Sequence, residues 1–206
     1  GALCKARGVL FHTDATQSFG KEPIDVHAMG IDLLSASAHK MHGPKGVGVL
    51  YVRRRDPRVR CAALLHGGGH ERGLRSGTLN VPGIVGMGAA ATLPADDGVR
   101  ALRDRLETGI LSGLDGVEIN GHRTLRLANT TNLSFDGVDG AKLMKRMPEI
   151  AVSSSSACTS ALLQPSYVLG AIGCHEARIR GSVRFSLGRF TTAEEIDIAT
   201  TQVVEA

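Results

Sequence analysis

A short, largely apolar run, Ile31-Asp32-Leu33-Leu34-Ser35-Ala36-Ser37, flows directly into Ala38-His39-Lys40 and then into a turn, Gly43-Pro44-Lys45-Gly46. A run of this length, bounded by Gly and Pro, reads as a buried strand. It ends in hydroxyl, imidazole and amine side chains, and strand ends in α/β sheets are where ligands sit. Two more runs share the pattern. Val9-Leu10-Phe11-His12-Thr13-Asp14 closes on a carboxylate, and Gly46-Val47-Gly48-Val49-Leu50-Tyr51-Val52 closes on arginines. Together they predict three parallel strands of an α/β fold. The 26 glycines among 206 residues suit helices packed closely against such a sheet and disfavour a coiled coil.

Beyond these strands the character of the chain changes. Val81 to Leu93 and Ala95 to Leu111 read as helices, the second amphipathic. Val117–Asn120, Thr130–Phe135 and Ser182–Leu187 read as strands, and Ala141–Met147 as a short helix stopped by Pro148. Thr192-Ala193-Glu194-Glu195 is a capping box that opens a terminal helix. Two domains are expected, residues 1–95 and 96–206, the second a small α+β domain. The opening Gly1–Gly8 reads as the last turns of a helix closed by a glycine, so the chain is expected to begin within a domain.

Composition removes several function classes. Hydrophobic residues at 42 % and charged residues at 21 % suit a globular chain with a core. No apolar stretch is long enough for a membrane-spanning helix, and no leader of basic then apolar residues opens the chain. Seven aromatics and no Trp argue against single-strand nucleic-acid binders that work by stacking. The net charge of +4 invites a nucleic-acid reading, but the one dense basic run, Arg53 to Arg60, reads as a solvated connection leaving a strand. The cysteines Cys4, Cys61, Cys158 and Cys174 form no Cys-x-x-Cys pair, which points to a reducing compartment, not a disulfide framework.

The chemistry-bearing residues fall at the strand ends and in one serine-rich stretch. A lysine at the position of Lys40, partly desolvated and near other cations, can serve as an amine nucleophile; its alternative is a solvated turn lysine. Ser37 and His39 beside it could hold a phosphate. Asp14 could keep a pyridinium nitrogen protonated and Gln17 could bond a ring hydroxyl; alone, Asp14 would serve as a helix cap. A Schiff-base lysine, a pyridinium partner and a phosphate cup are what pyridoxal phosphate requires. His66 and His70 flank three glycines, which makes a helical zinc pair improbable, and Ser76 and Thr78 offer phosphate-bonding hydroxyls. Cys158 lies in Ser153-Ser154-Ser155-Ser156-Ala157-Cys158-Thr159-Ser160, small polar residues that predict a mobile loop and a reactive thiol. Arg184 could clamp a carboxylate bidentately or lie on a surface strand.

These motifs, with His66-Gly67-Gly68-Gly69-His70-Glu71-Arg72-Gly73-Leu74-Arg75-Ser76-Gly77-Thr78 and Ser182-Val183-Arg184-Phe185-Ser186-Leu187-Gly188-Arg189-Phe190, resemble the cysteine desulfurases of the NifS/IscS type. These are pyridoxal-phosphate enzymes of the class V aminotransferases, with the aspartate-aminotransferase fold. The resemblance implies that residues 1–95 are the later part of the cofactor domain, and that an N-terminal half supplies a ring-stacking His and an Asn. By it, Lys40 carries the cofactor, Asp14 pairs with the ring nitrogen, Gln17 with the ring oxygen, and Ser37 and His39 with the phosphate. Thr78 reaches the phosphate site of the partner subunit in a homodimer. Arg184 holds the carboxylate of L-cysteine, and Cys158 takes its sulfur as a persulfide, releasing L-alanine. The sulfur would serve iron–sulfur cluster assembly or tRNA thiolation through a scaffold protein or another acceptor, with Cys158 transiently near a cluster and no resident metal. Neither direct nucleic-acid binding nor a membrane role is implied. The location implied is the cytoplasm, or the mitochondrial matrix in a eukaryote. Rival readings are a selenocysteine lyase, a small-amino-acid aminotransferase, and a non-catalytic fragment that docks sulfur acceptors. Alone, residues 1–206 are expected to aggregate or to need an N-terminal polypeptide.

Overall fold

Ten residues separate the second and third strands of the first sheet, fewer than the dozen or so that a parallel crossover needs. The computed structural model, which describes residues 1–93, 98–154 and 166–206, resolves the consequence. Strand β1 (His12–Asp14) pairs parallel with β2 (Leu33–Ser37), but β3 (Gly48–Val52) returns antiparallel to β2. The expectation of three parallel strands is therefore corrected. The link after β2 is only a 3₁₀ turn, Ala38–Met41, and a Gly-Pro bend, so the chain can do nothing but double back.

Two compact units divide the chain, Gly1–Ala95 and Asp96–Ala206. In the first, α1 (Ala2–Ala6) ends in a Schellman closure, with the Gly8 N–H on the Lys5 carbonyl and the Val9 N–H on that of Cys4. One face of the sheet buries Leu34 and Ala36 with Ala15 and Ile31, against Phe11, Phe19, Ile24, Val26 and Tyr51. Arg53, read as the start of a solvated run, is instead buried at the end of β3. Its guanidinium pairs with Asp32 at 3.0 Å and donates to the carbonyls of Val26 and Ile31 at 2.7 and 2.8 Å. Asp32 in turn accepts the Phe11 N–H at 2.9 Å, so one ion pair ties the entrances of β1 and β2 to the exit of the antiparallel β3.

Helix α2 (Val81–Ala91) is capped by the Asn80 side chain, which accepts the Gly83 N–H. Its buried residues, Gly83, Met87 and Ala90, share one face, while Val81, Ile84 and Val85 are exposed. Met87 and Ala90 pack on Ala38 and Met41 of the 3₁₀ turn. The approach is close: a Cβ at Gly86 would lie 2.6 Å from Cγ of Pro44. A Gly86→Ala substitution is therefore expected to destabilise the protein. It gains about 1 kcal/mol of helix propensity, but overpacking against a rigid proline ring costs about 1–3 kcal/mol. Denaturant unfolding checks the sign, and a stabilised variant would show that the helix retreats freely.

The second unit is a sheet in the order β4 (Val117–Ile119), β5 (Thr130–Phe135), β6 (Ser182–Ser186), antiparallel throughout. Helices α3 (Val99–Gly113) and α7 (Ala193–Glu205) supply an apolar stripe each. Leu106, Ile110, Ile196 and Val203 join Leu133, Phe135, Val183 and Phe185 in one core. Arg105 clasps Asp197 with two bonds of 2.7 and 2.6 Å between these helices. The Thr192–Glu195 capping box forms as read. Helix α4 (Gly140–Arg146) starts at Asp139, whose carboxylate caps two N–H groups. Two short helices, α5 (Tyr167–Ala171) and α6 (Glu176–Arg180), escaped the sequence reading. Asn120 explains the seating of α6: its amide donates to Asn132 and Ser134 and its oxygen accepts from Arg178 at 2.7 Å.

Candidate active site

In the first unit, Asp14 ends β1 opposite Ser35 of β2, and Ser37 ends β2 two residues further on. In parallel strands both carboxyl ends point the same way, so the carboxylate and hydroxyl come to one rim of the sheet. Asp14 is exposed, and its Oδ1 accepts the Thr16 N–H at 2.9 Å, turning the chain after the strand. The Thr16 hydroxyl and then its N–H, with the charge of His12 behind them, hold the Asp14 carboxyl below the usual carboxylate range. It therefore stays ionised and available to a cationic partner. No helix starts at Ala15, so the carboxylate closes a turn where a helix cap was the alternative, and the Thr16 N–H engages one of its two oxygens.

Ser37 Oγ and His39 Nδ1 lie 2.8 Å apart, a hydroxyl–imidazole pair at the start of the 3₁₀ turn. Lys40 follows in that turn and is exposed, which corrects the expectation of a partly desolvated amine. The turn itself is rigidly seated. Ala38 is fully buried and Met41 nearly so, and a Cβ at Gly43 would come within 2.9 Å of the Ala38 Cβ. Buried residues on either side thus aim His39 and Lys40 outward.

A residue missed in the sequence reading stands beside them. Lys21, half-buried, donates to the Gln17 backbone carbonyl at 3.1 Å and to the Gln17 side-chain oxygen at 3.4 Å. Burial, and secondarily the positive charge of Lys40, push its ammonium below the ordinary lysine range. The spacing of four from Gln17 was the available signal. Thr78 is exposed in the segment ahead of α2, where Arg75 Nη1 donates to the carbonyls of Gly77 and Thr78 at 2.8 and 3.4 Å. The glycine-rich stretch folds back on it: Leu65 bridges Arg75, and the Ser76 hydroxyl donates to the Gly68 carbonyl. His70 lies in a short 3₁₀ turn, His70–Gly73, broken by non-helical angles at Glu71 and Arg72.

In the second unit, Arg184 sits mid-strand in β6, half-buried, with Asn132 of β5 opposite. Its Nε is buried without a hydrogen-bond partner among the described residues. A buried guanidinium N–H in that state has its desolvation cost uncompensated, which a carboxylate would relieve. On the other side, Arg184 exchanges backbone hydrogen bonds with Ser153, at 2.6 and 3.2 Å. Cys158 lies outside the described residues. Cys4, Cys61 and Cys174 are free and half-buried; the Cys174 thiol points at Asn120 Oδ1 at 3.6 Å.

Residues 1–198 match the family model "Aminotransferase class-V". The chain is 56 % identical over 211 residues to a cysteine desulfurase IscS of Anaeromyxobacter sp. (strain Fw109-5), covering 100 % of this chain and 52 % of the relative. It is 58 % identical over 205 residues to a cysteine desulfurase IscS of Tolumonas auensis, covering 97 % and 50 %. The chain thus spans about half the length of the curated relatives it matches. Among solved structures, a NifS-like protein from Rickettsia africae superposes with a TM-score of 0.86 at 29 % identity, over 99 % of this chain and 55 % of that one. SspA in complex with cysteine superposes with a TM-score of 0.70 at 37 % identity, over 93 % and 54 %.

Proposed function

The chain belongs to the class-V aminotransferase family, and from that premise we propose that it is part of a cysteine desulfurase, carrying its cofactor lysine and its sulfur-accepting cysteine. The observation that carries this reading is the donor set on one rim of the first sheet: an ionised carboxylate, a hydroxyl–imidazole pair and an amine within a rigid turn. Those groups fit pyridoxal phosphate, which asks for an anion at the ring nitrogen, donors at the phosphate and an amine at the aldehyde carbon. When bound, pyridoxal phosphate supplies an electron sink for negative charge developing at an amino-acid α-carbon.

Each side chain then has a stated task. Asp14 holds the proton at the ring nitrogen, and Gln17 donates its amide to the ring oxygen. Ser37 and His39 bind the phosphate, with Thr78 serving the phosphate site of a second copy in a homodimer. Lys40 supplies the amine that holds the cofactor. Arg184, whose Nε is buried without a partner, binds the carboxylate of L-cysteine and so orients its side chain. The Cys158 thiolate attacks the substrate sulfur. An S–S bond forms as the C–S bond breaks, the electron pair stays on carbon, and a proton completes alanine. No external oxidant is needed, because carbon is reduced as sulfur is oxidised. The persulfide on Cys158 is then passed to a sulfur acceptor such as an iron–sulfur scaffold, in a reducing compartment that keeps the thiols free.

In the whole enzyme, Cys158→Ala is expected to lower alanine formation from L-cysteine by roughly 10³-fold or more, the scale of losing a nucleophile. The bound-cofactor absorption should be unchanged. If Cys158→Ala stays active while Cys61→Ala or Cys174→Ala does not, the wrong thiol has been assigned. Alanine formation unaffected by any of the three would leave no persulfide chemistry to explain.

A further inference from the structure

Gln17 has an amide with two faces, one that donates and one that accepts, and its chemistry depends on which is turned outward. An ammonium has three donors and no acceptor. Lys21 Nζ lies 3.4 Å from the side-chain oxygen of Gln17 and 3.1 Å from its backbone carbonyl. It therefore grips the residue twice from one side, and the atom it faces can only be the amide oxygen. The NH₂ group is left pointing elsewhere. Lys21 is half-buried and Gln17 exposed, so the hold comes from the protein side, and among the described residues no acceptor takes the amide hydrogens, which leaves them to a ligand.

We infer that Lys21 is a positioning residue: it fixes the Gln17 amide so that its NH₂, and not its oxygen, is presented to an anionic ring oxygen of the cofactor. The inference rests on the reading of Gln17 given above and deepens it. A flipped amide would oppose two acceptors, lone pair against lone pair, and would repel the ring oxygen it is meant to stabilise. The second cation also faces Lys40, and burial together with that charge weakens its ammonium. An effect of Lys21 through Lys40 alone would not need Gln17, so the two routes are separable.

The test is a double-mutant cycle in the whole enzyme, read by pyridoxal-phosphate titration of the apoenzyme and by the absorption maximum of the bound cofactor. Gln17→Ala and Lys21→Met are each expected to weaken cofactor affinity by roughly fivefold, the scale of one hydrogen bond. Both should displace the absorption maximum in the same direction. Lys21→Met in the Gln17→Ala background should change affinity less than about twofold, because the partner is already gone. Lys21→Arg, also a donor without an acceptor, should restore the absorption maximum. An unmoved maximum in Lys21→Met, where Gln17→Ala moves it, overturns the positioning role and leaves the reading of Gln17 standing. So does a Lys21→Met effect undiminished in the Gln17→Ala background. If Gln17→Ala moves neither affinity nor the maximum, the reading of Gln17 falls and the inference falls with it.

Discussion

On the reading of the chain as part of a cysteine desulfurase, replacing Lys40 with alanine is expected to abolish covalent attachment of pyridoxal phosphate and to lower desulfuration by roughly 10³-fold or more, as loss of a covalent group does. The expectation rests on where the turn holds its residues. Ala38 and Met41 are buried against Met87 and Ala90, and this leaves His39 and Lys40 outward beside Ser37. Two other lysines compete for the assignment. Lys45 is exposed beyond the Gly-Pro bend. Lys21 has the weakened ammonium that a nucleophilic amine needs, but both of its hydrogen bonds tie it to Gln17. Borohydride reduction followed by peptide mass mapping should place the pyridoxyl label on Lys40. A label on Lys21 or Lys45 would reverse the assignment, and a Lys40→Ala enzyme that still takes a borohydride-fixed label on the protein would do the same.

Breaking the buried ion pair of the first unit should cost nearly as much by a different route. Arg53→Met leaves Asp32 as an unpaired carboxylate, only 8 % exposed, and strips donors from the Val26 and Ile31 carbonyls. Removing one member of a buried pair costs about 3–5 kcal/mol. The loss should appear in denaturant unfolding of the whole enzyme and as faster amide exchange in β1 and β2, with the second unit unaffected. Pairing Arg53→Met with Asp32→Leu should recover part of the loss, because no charge is then stranded. Recovery stays partial because the Phe11 N–H loses its acceptor. A single substitution that leaves β1 exchange unchanged would mean that the pair contributes little.

What could be read in advance was what is local. The Thr192–Glu195 capping box depends on residues three apart, and β5 on alternation within six residues, so both emerged where expected. The placement of Asp14 and Ser37 at strand ends, with His39 just beyond, was legible because strand ends announce themselves by where apolar residues stop. The direction of β3 was not, since nothing in Gly46–Val52 records which way its neighbour runs. Only the length of the link carries that information. Arg53 was misread for a related reason. Five arginines between 53 and 60 look alike in the sequence, and only the fold brings two carbonyls and a carboxylate around one of them. Helices α5 and α6 have five residues each, too few for a period of 3.6 to show.

The contact between Ala38 and Gly43 carries a consequence for how this site can drift over evolutionary time. The two positions share one small volume: Ala38 is fully enclosed, and any Cβ at 43 would collide with it. Neither can grow unless the other shrinks, and Gly43 has nothing left to give. Neutral exploration is thus closed at both positions at once, whatever the selective value of the side chains between them. His39 and Lys40 stand between two positions that must both stay small, so innovation at this turn has to come through the exposed residues, with the frame held constant.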